Sequence, residues 1–93
     1  PLRFDLISVY PNPFNPITTI EYSILNESNI EVSIYDILGH KITQLVDTFQ
    51  EKGYYKTIWD GKNSHGGYVP SGVYFVQIKN KSDILLQKIL LLK

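Results

Sequence analysis

Ninety-three residues are enough for one domain and too few for two comfortable cores. Nine Lys/Arg balance nine Asp/Glu, which argues against a nucleic-acid binder, because phosphate recognition needs a surplus of basic side chains. The absence of Cys excludes a disulfide framework, a thiolate zinc site and a cysteine nucleophile.

The longest aliphatic runs, Ile84–Leu86 and Ile89–Leu92, are far shorter than the ~20 residues of a membrane-spanning helix, so no membrane insertion is expected. No Met is present, and the chain is expected to be a piece of a longer polypeptide. There is also no Ala, the best helix former. Against that stand twelve Ile, six Val, five Thr and twelve aromatic residues, side chains that fit a pleated, half-buried surface. An all-β fold follows.

In chain order, residues 1–5 read as a linker remnant and Leu6–Tyr10 as the first strand. Pro11-Asn12-Pro13-Phe14-Asn15-Pro16 ends that strand, and its three prolines make it an extended crossover. Ile17–Leu25 alternates, with Ile20, Tyr22 and Ile24 on the core face. After a polar turn at Asn26–Asn29, Ile30, Val32 and Ile34 point inward while Glu31, Ser33 and Tyr35 point outward. Asp36-Ile37-Leu38-Gly39 reverses the chain, Gly39 supplying a positive φ.

His40–Thr48 is the returning strand, with Ile42 and Val46 toward the core. Leu45-Val46 breaks the alternation; a helix competes here, but the β-branched residues favour a bulged strand. Gln50–Gly53 turns again, and Tyr54–Trp59 sets Tyr55, Thr57 and Trp59 against Tyr54, Lys56 and Ile58. The single Trp belongs at the centre of the core. Asp60–Ser71 is the longest loop. Gly72–Lys81 puts Tyr74, Val76 and Ile78 opposite Val73, Phe75 and Gln77, and Asn80–Asp83 leads into the last run, Ile84–Lys93. Seven strands with antiparallel turns predict an immunoglobulin-like or fibronectin type III-like sandwich of two sheets, a single domain over residues 1–93.

Chemistry-bearing residues are sparse. His40 and His65 each fall in a turn, and the carboxylates are scattered without the fixed pairing of a two-carboxylate mechanism. No nucleophile elbow or phosphate-cradling glycine loop is present. Asp60, Asn63 and Ser64, with carbonyls around Gly61 and Gly66, offer oxygen donors of the kind calcium prefers, but the spacing is not that of an EF-hand and only one ligand is acidic, so a tight turn capped by Asp60 is the better reading. Asn26-Glu27-Ser28 and Asn80-Lys81-Ser82 match the glycosylation pattern, which turn formation also explains. No catalysis, metal or cofactor is expected. The final run is apolar on both faces near its end. It is either covered by a further element or open as an edge for strand addition to a partner, with Gln87 and Lys88 limiting aggregation.

Six segments then stand in order: Tyr10-Pro11-Asn12-Pro13-Phe14-Asn15-Pro16 with Thr18-Thr19-Ile20, Tyr35-Asp36-Ile37-Leu38-Gly39, Trp59-Asp60-Gly61, Ser71-Gly72-Val73-Tyr74-Phe75, and Lys88-Ile89-Leu90-Leu91-Leu92-Lys93. Together they resemble the type A C-terminal sorting domain of proteins exported by the type IX, or Por, secretion system. They are also similar to the Ig-like domain of the flagellar hook-capping family.

The resemblance spans about Leu6 to Lys93. It implies a non-catalytic label at the end of a larger secreted or surface protein of a Bacteroidetes-type bacterium. The N-terminal cargo domain would transit the periplasm and the label would be read by the outer-membrane translocon. A sortase-type surface peptidase would often remove it and attach the cargo to the cell surface. Carried over residue by residue, the motif positions are Pro11, Asn12 and Pro13; Gly72, Val73 and Tyr74; and Lys88, Ile89, Leu90, Leu91, Leu92 and Lys93. His40 departs from the Arg or Lys usual in the family. Two other readings stay open: a structural Ig-like module, and a carbohydrate-binding sandwich using Tyr54, Tyr68 and Trp59.

Overall fold

A computed structural model describes residues 3–93, without the side chain of Ile7. The strands are β1 (Phe4–Tyr10), β2 (Thr18–Ile24), β3 (Ser28–Asp36), β4 (Lys41–Gln50), β5 (Gly53–Trp59), β6 (Gly72–Lys79) and β7 (Ile84–Leu91). They form two antiparallel sheets, one in the order β1-β2-β5 and the other β4-β3-β6-β7. The sheets face each other across one apolar core, the arrangement of a β-sandwich.

Alternation builds that core. β2 alternates strictly between buried and half-buried positions, so Ile20, Tyr22 and Ile24 point inward with Thr18, and from Val73 onward β6 does the same with Tyr74, Val76 and Ile78. Ile30, Val32 and Ile34 of β3 and Trp59 at the end of β5 are buried with them. Trp59 lies between the rings of Phe14 (centroids 5.5 Å apart) and Tyr74 (5.2 Å, edge to face), and its Nε1–H donates to the Lys62 carbonyl at 2.9 Å.

Four expectations need correction. Residues 1–5 are not a linker throughout: Phe4 and Asp5 belong to β1, and Phe4 is fully buried, while residues 1–2 lie outside the described residues. Phe4 is in period with Leu6 across Asp5, and its pairing with Ile24 places it in the strand. Ser33 is buried rather than exposed. It sits on an inner strand opposite Gln44 and Gln77, where a short side chain between longer neighbours loses its water, and its Oγ has no partner.

Ile42 and Val46 are half-buried at the sheet edge rather than deep in the core. The β3–β4 register shifts twice, between Val32 and Ser33 and between Ile34 and Tyr35. Leu45 and Ile42 become the extra residues, which lets Leu45 and Val46 both pack on the core despite being neighbours. The break in alternation is thus a bulged strand.

The proline segment is the fourth case. It joins two neighbouring strands of one sheet, β1 and β2, and reaches over to the edge of β7 in the other.

Candidate functional site

Two glycines shape the loops at one end of the sandwich. Gly39 (φ +84°) closes the β3–β4 turn, whose Asp36 carboxylate accepts the N–H groups of Leu38 (2.9 Å) and His40 (2.8 Å). Gly61 (φ +76°) follows Trp59-Asp60, and a Cβ there would meet the Pro16 carbonyl oxygen at 3.0 Å. Only glycine lets the long loop pass the proline segment this closely.

Onto this end the fold brings all three motif blocks. In the first, Pro11, Asn12 and Pro13 are exposed, while the next residue, Phe14, is buried against Trp59. The Pro11 carbonyl accepts the Thr18 hydroxyl at 2.8 Å. In the second, Gly72 and Val73 are half-buried and pair with Leu91 and Leu90. Tyr74 is buried, and its hydroxyl donates to the Pro70 carbonyl at 2.7 Å; burial raises its pKa.

The third block divides by side. Ile89 and Leu91 point into the core, Leu90 is half-buried, and Lys88, Leu92 and Lys93 are exposed.

The first and third blocks are bonded to each other. The Asn12 carboxamide oxygen accepts the Leu90 N–H at 3.0 Å, and its Nδ2 donates to the Lys88 carbonyl at 3.4 Å. Phe14 N–H donates to the Leu90 carbonyl at 3.0 Å, and Leu92 N–H donates to the Phe14 carbonyl at 2.9 Å, a parallel bridge centred on Leu91. The second block joins through its neighbour Ser71, whose hydroxyl accepts the Lys93 N–H at 3.0 Å. The Lys62 and Lys93 ammonium groups both approach the exposed Tyr68 ring, at 5.0 and 5.4 Å from its centroid.

The apolar residues of the final run divide between the two faces: Ile89 and Leu91 are buried, while Ile84, Leu86 and Leu92 are exposed. Ile89 and Leu91 fill the core, and the outward backbone edge at Lys88–Leu92 is closed by Asn12 and Phe14 rather than open for strand addition. Phe14 and Ser71 stand in the motif segments but not among the motif positions carried over, and sequence alone offers Tyr68 only as a sugar-stacking candidate. Their partners lie tens of residues away, and no local pattern signals such pairing.

The other candidates do not converge here. His40 is an exposed turn residue whose Nδ1 lies 3.3 Å from Asp36. The backbone N–H of His40 at the Asp36 carboxylate is the leading reason that the Asp36 pKa falls below its usual 3.8. The side-chain oxygens of Asp60 and Asn63 accept backbone N–H groups of Lys62, His65 and Gly67, which is the capped-turn arrangement. No cluster of three or more His, Cys, Asp or Glu suited to a metal ion occurs among the described residues. Trp59 is wholly buried, which removes it from any sugar-stacking platform.

The motif blocks also lie far from where the described chain begins. The Arg3 backbone carbonyl accepts the N–H groups of Leu25 and Asn26, and Arg3 shares a surface hollow with Ser28, Asn80 and Lys81, at the opposite end of the strands. The length of β1, roughly 20 Å, separates the two ends.

Comparison with known proteins gives a consistent picture. Residues 8–92 match the family model described as "Secretion system C-terminal sorting domain". Among solved structures, the chain is similar to PorZ, an essential surface component of the type IX secretion system of Porphyromonas gingivalis. That likeness has 26% identity and a TM-score of 0.65, covering 92% of this chain and 11% of PorZ.

It is also similar in fold to dimeric latent PorU from P. gingivalis, with 18% identity and a TM-score of 0.73 over 96% of this chain and 9% of PorU. FlgD from P. aeruginosa shares the fold at 21% identity and a TM-score of 0.62, covering 96% of this chain and 68% of FlgD. The chain therefore spans only about a tenth of PorU and PorZ. No curated protein matches it. The chain belongs to the secretion system C-terminal sorting domain family, and its role is that of a type IX secretion signal.

Proposed function

We propose that this domain is a non-catalytic address whose reading surface is the end where the three motif blocks meet. The observation that carries the reading is their convergence: Asn12 and Phe14 are bonded to Lys88–Leu92, and Ser71 is bonded to Lys93. The exposed members, Pro11, Asn12, Pro13, Lys88, Leu92 and Lys93, present a mixed apolar, amide and cationic surface at the end opposite Arg3. A cargo domain joined ahead of Arg3 would leave that surface free. The partner is the outer-membrane translocon, reached after transit through the periplasm. A sortase-type surface peptidase then removes the label and leaves the cargo secreted or on the cell surface.

An immunoglobulin-like, fibronectin type III-like topology is part of the same proposal. The fourth strand lies beside the third rather than beside the fifth, as it would in a constant-type immunoglobulin domain. The hydroxyl of Tyr74, near the start of the sixth strand, bonds back to Pro70, four residues upstream, as in the tyrosine corner of such sandwiches.

A fluorescent cargo fused ahead of the chain tests the function. Deleting Ile89–Lys93 abolishes export on this reading, and export at full efficiency would rule it out. Because Ile89 and Leu91 are core residues, the deletion also unfolds the domain. The decisive variant is therefore Leu92→Ala with Lys93→Ala, which leaves the core intact. Normal export of that double variant favours a second reading, a purely structural module whose tail serves only stability.

A further inference from the structure

The last two residues have no neighbour in β6. Strand β6 begins at Gly72, which pairs with Leu91, so Leu92 and Lys93 extend beyond the sheet. Their backbone N–H groups are held instead by the Phe14 carbonyl and the Ser71 hydroxyl. Residues 11–14 form a strap across the end of β7, and the strap is stiff: Pro11 and Pro13 each fix φ and supply no N–H. Only Asn12 and Phe14 carry backbone donors there, and that of Phe14 is engaged with Leu90. The Asn12 side chain adds the contact one step earlier on the strand, taking Leu90 N–H and reaching Lys88 C=O, which also accepts Gln87 Nε2 at 3.0 Å.

We propose that Asn12 is a positioning residue of the sorting signal. Its carboxamide clamps the Lys88–Leu90 backbone so that Leu92 and Lys93 leave the sandwich in one fixed direction beside Tyr68. The proline block thereby acts through the terminal block instead of forming a separate contact with the partner. A carboxamide suits the task because it accepts and donates at once, matching one N–H and one C=O on the same strand edge. The signal is consequently assembled only in the folded domain, which gives it a built-in dependence on correct folding. This inference rests on the reading that the terminal residues are recognised.

The test uses Asn12→Ala and Asn12→Asp in the 93-residue chain and in the cargo fusion. Asp retains the acceptor for Leu90 N–H but, ionised, cannot donate to Lys88 C=O. In Asn12→Ala, hydrogen exchange at Leu90 N–H should rise roughly five- to tenfold, the worth of one net hydrogen bond. Exchange at Val32 and Val76 should stay unchanged, and the exported fraction should fall with the loosening of the tail. Asn12→Asp should keep Leu90 protected and recover most of the export, because the bond from Leu90 N–H at 3.0 Å is the stronger half of the clamp and the 3.4 Å donation to Lys88 C=O the weaker.

Wild-type export from a loosened Asn12→Ala tail overturns the proposal. So does loss of export with Leu90 exchange unchanged, which makes Asn12 a direct contact. If Asn12→Ala does not fold, Asn12→Asp decides alone: protected Leu90 with export lost is equally fatal. Normal export of the Leu92→Ala, Lys93→Ala variant sinks the underlying reading instead. Blocked export there, with normal export from Asn12→Ala, sinks only the clamp.

Discussion

Asn12 and Leu90 are 78 positions apart in sequence, yet the carboxamide oxygen of one accepts the backbone N–H of the other at 3.0 Å. Without that contact and its companions at Phe14, the outer edge of β7 would present unpaired backbone groups at the end of the sheet. The bonding also explains how a neutral, exposed side chain in a loop fixes the geometry of a terminal strand. Because the strap is stiffened by proline, less chain entropy opposes its docking.

The terminal block should separate cleanly into stabilising and presented residues. Ile89→Ala or Leu91→Ala empties a fully buried site and should cost about 2–5 kcal/mol. Leu92 is about half exposed, and Leu92→Ala should change stability by no more than about 0.5 kcal/mol. Urea unfolding of the three variants measures both, and equal effects would mean that the inward and outward assignments are wrong.

Tyr74→Phe keeps the ring against Trp59 and removes only the hydroxyl donor to Pro70. The expected loss is about 1–2 kcal/mol, since a partly buried carbonyl loses its partner. Chemical denaturation detects it. An unchanged midpoint would show that the Pro70 carbonyl finds water instead.

The two turn glycines should respond differently to alanine. At Gly39 nothing lies within 4 Å of the added Cβ, so only the left-handed backbone is strained, at about 1 kcal/mol. At Gly61 the same strain is joined by the Pro16 carbonyl oxygen at 3.0 Å, which must shift, and the proline strap with it. Gly61→Ala should therefore be the more destabilising of the two in thermal unfolding. The reverse order would discard the close approach as its cause.

Acid should weaken the fold through two carboxylates. Glu21 accepts the Tyr10 hydroxyl at 3.0 Å, which with Lys56 at 3.2 Å holds its pKa below the usual 4.5; Asp36 is likewise below 3.8. For a group lowered on folding, the stabilisation is complete above the unfolded pKa and disappears as pH falls through the folded one. Stability should thus be flat above about pH 5 and decline below pH 4.5, and Glu21→Gln should make the decline shallower. Unfolding midpoints measured from pH 7 to pH 2 give the slope, and an identical slope in the variant would remove Glu21 from the account.

Trp59 should emit as a fully buried indole, blue-shifted and inaccessible to iodide. Strong quenching in the folded domain would return the residue to the surface and revive the sugar-platform reading.

Period-two alternation in Ile17–Leu25 and Gly72–Lys81 is enough to place Ile20, Tyr22, Ile24, Tyr74, Val76 and Ile78, although β6 itself ends at Lys79, because a half-buried strand tells its two faces apart by solvation alone. The order of motif segments likewise points to the family from sequence alone. Where alternation fails, tertiary structure decided. Ser33 loses its water to longer neighbours on flanking strands, and two register shifts turn Ile42, Leu45 and Val46 toward the same side. The clamp of Asn12 on Leu90 belongs to the same class. Local sequence encodes which face of a strand is apolar. Which distant backbone closes its edge is set only when the two sheets pack and bring residues 12 and 90 together.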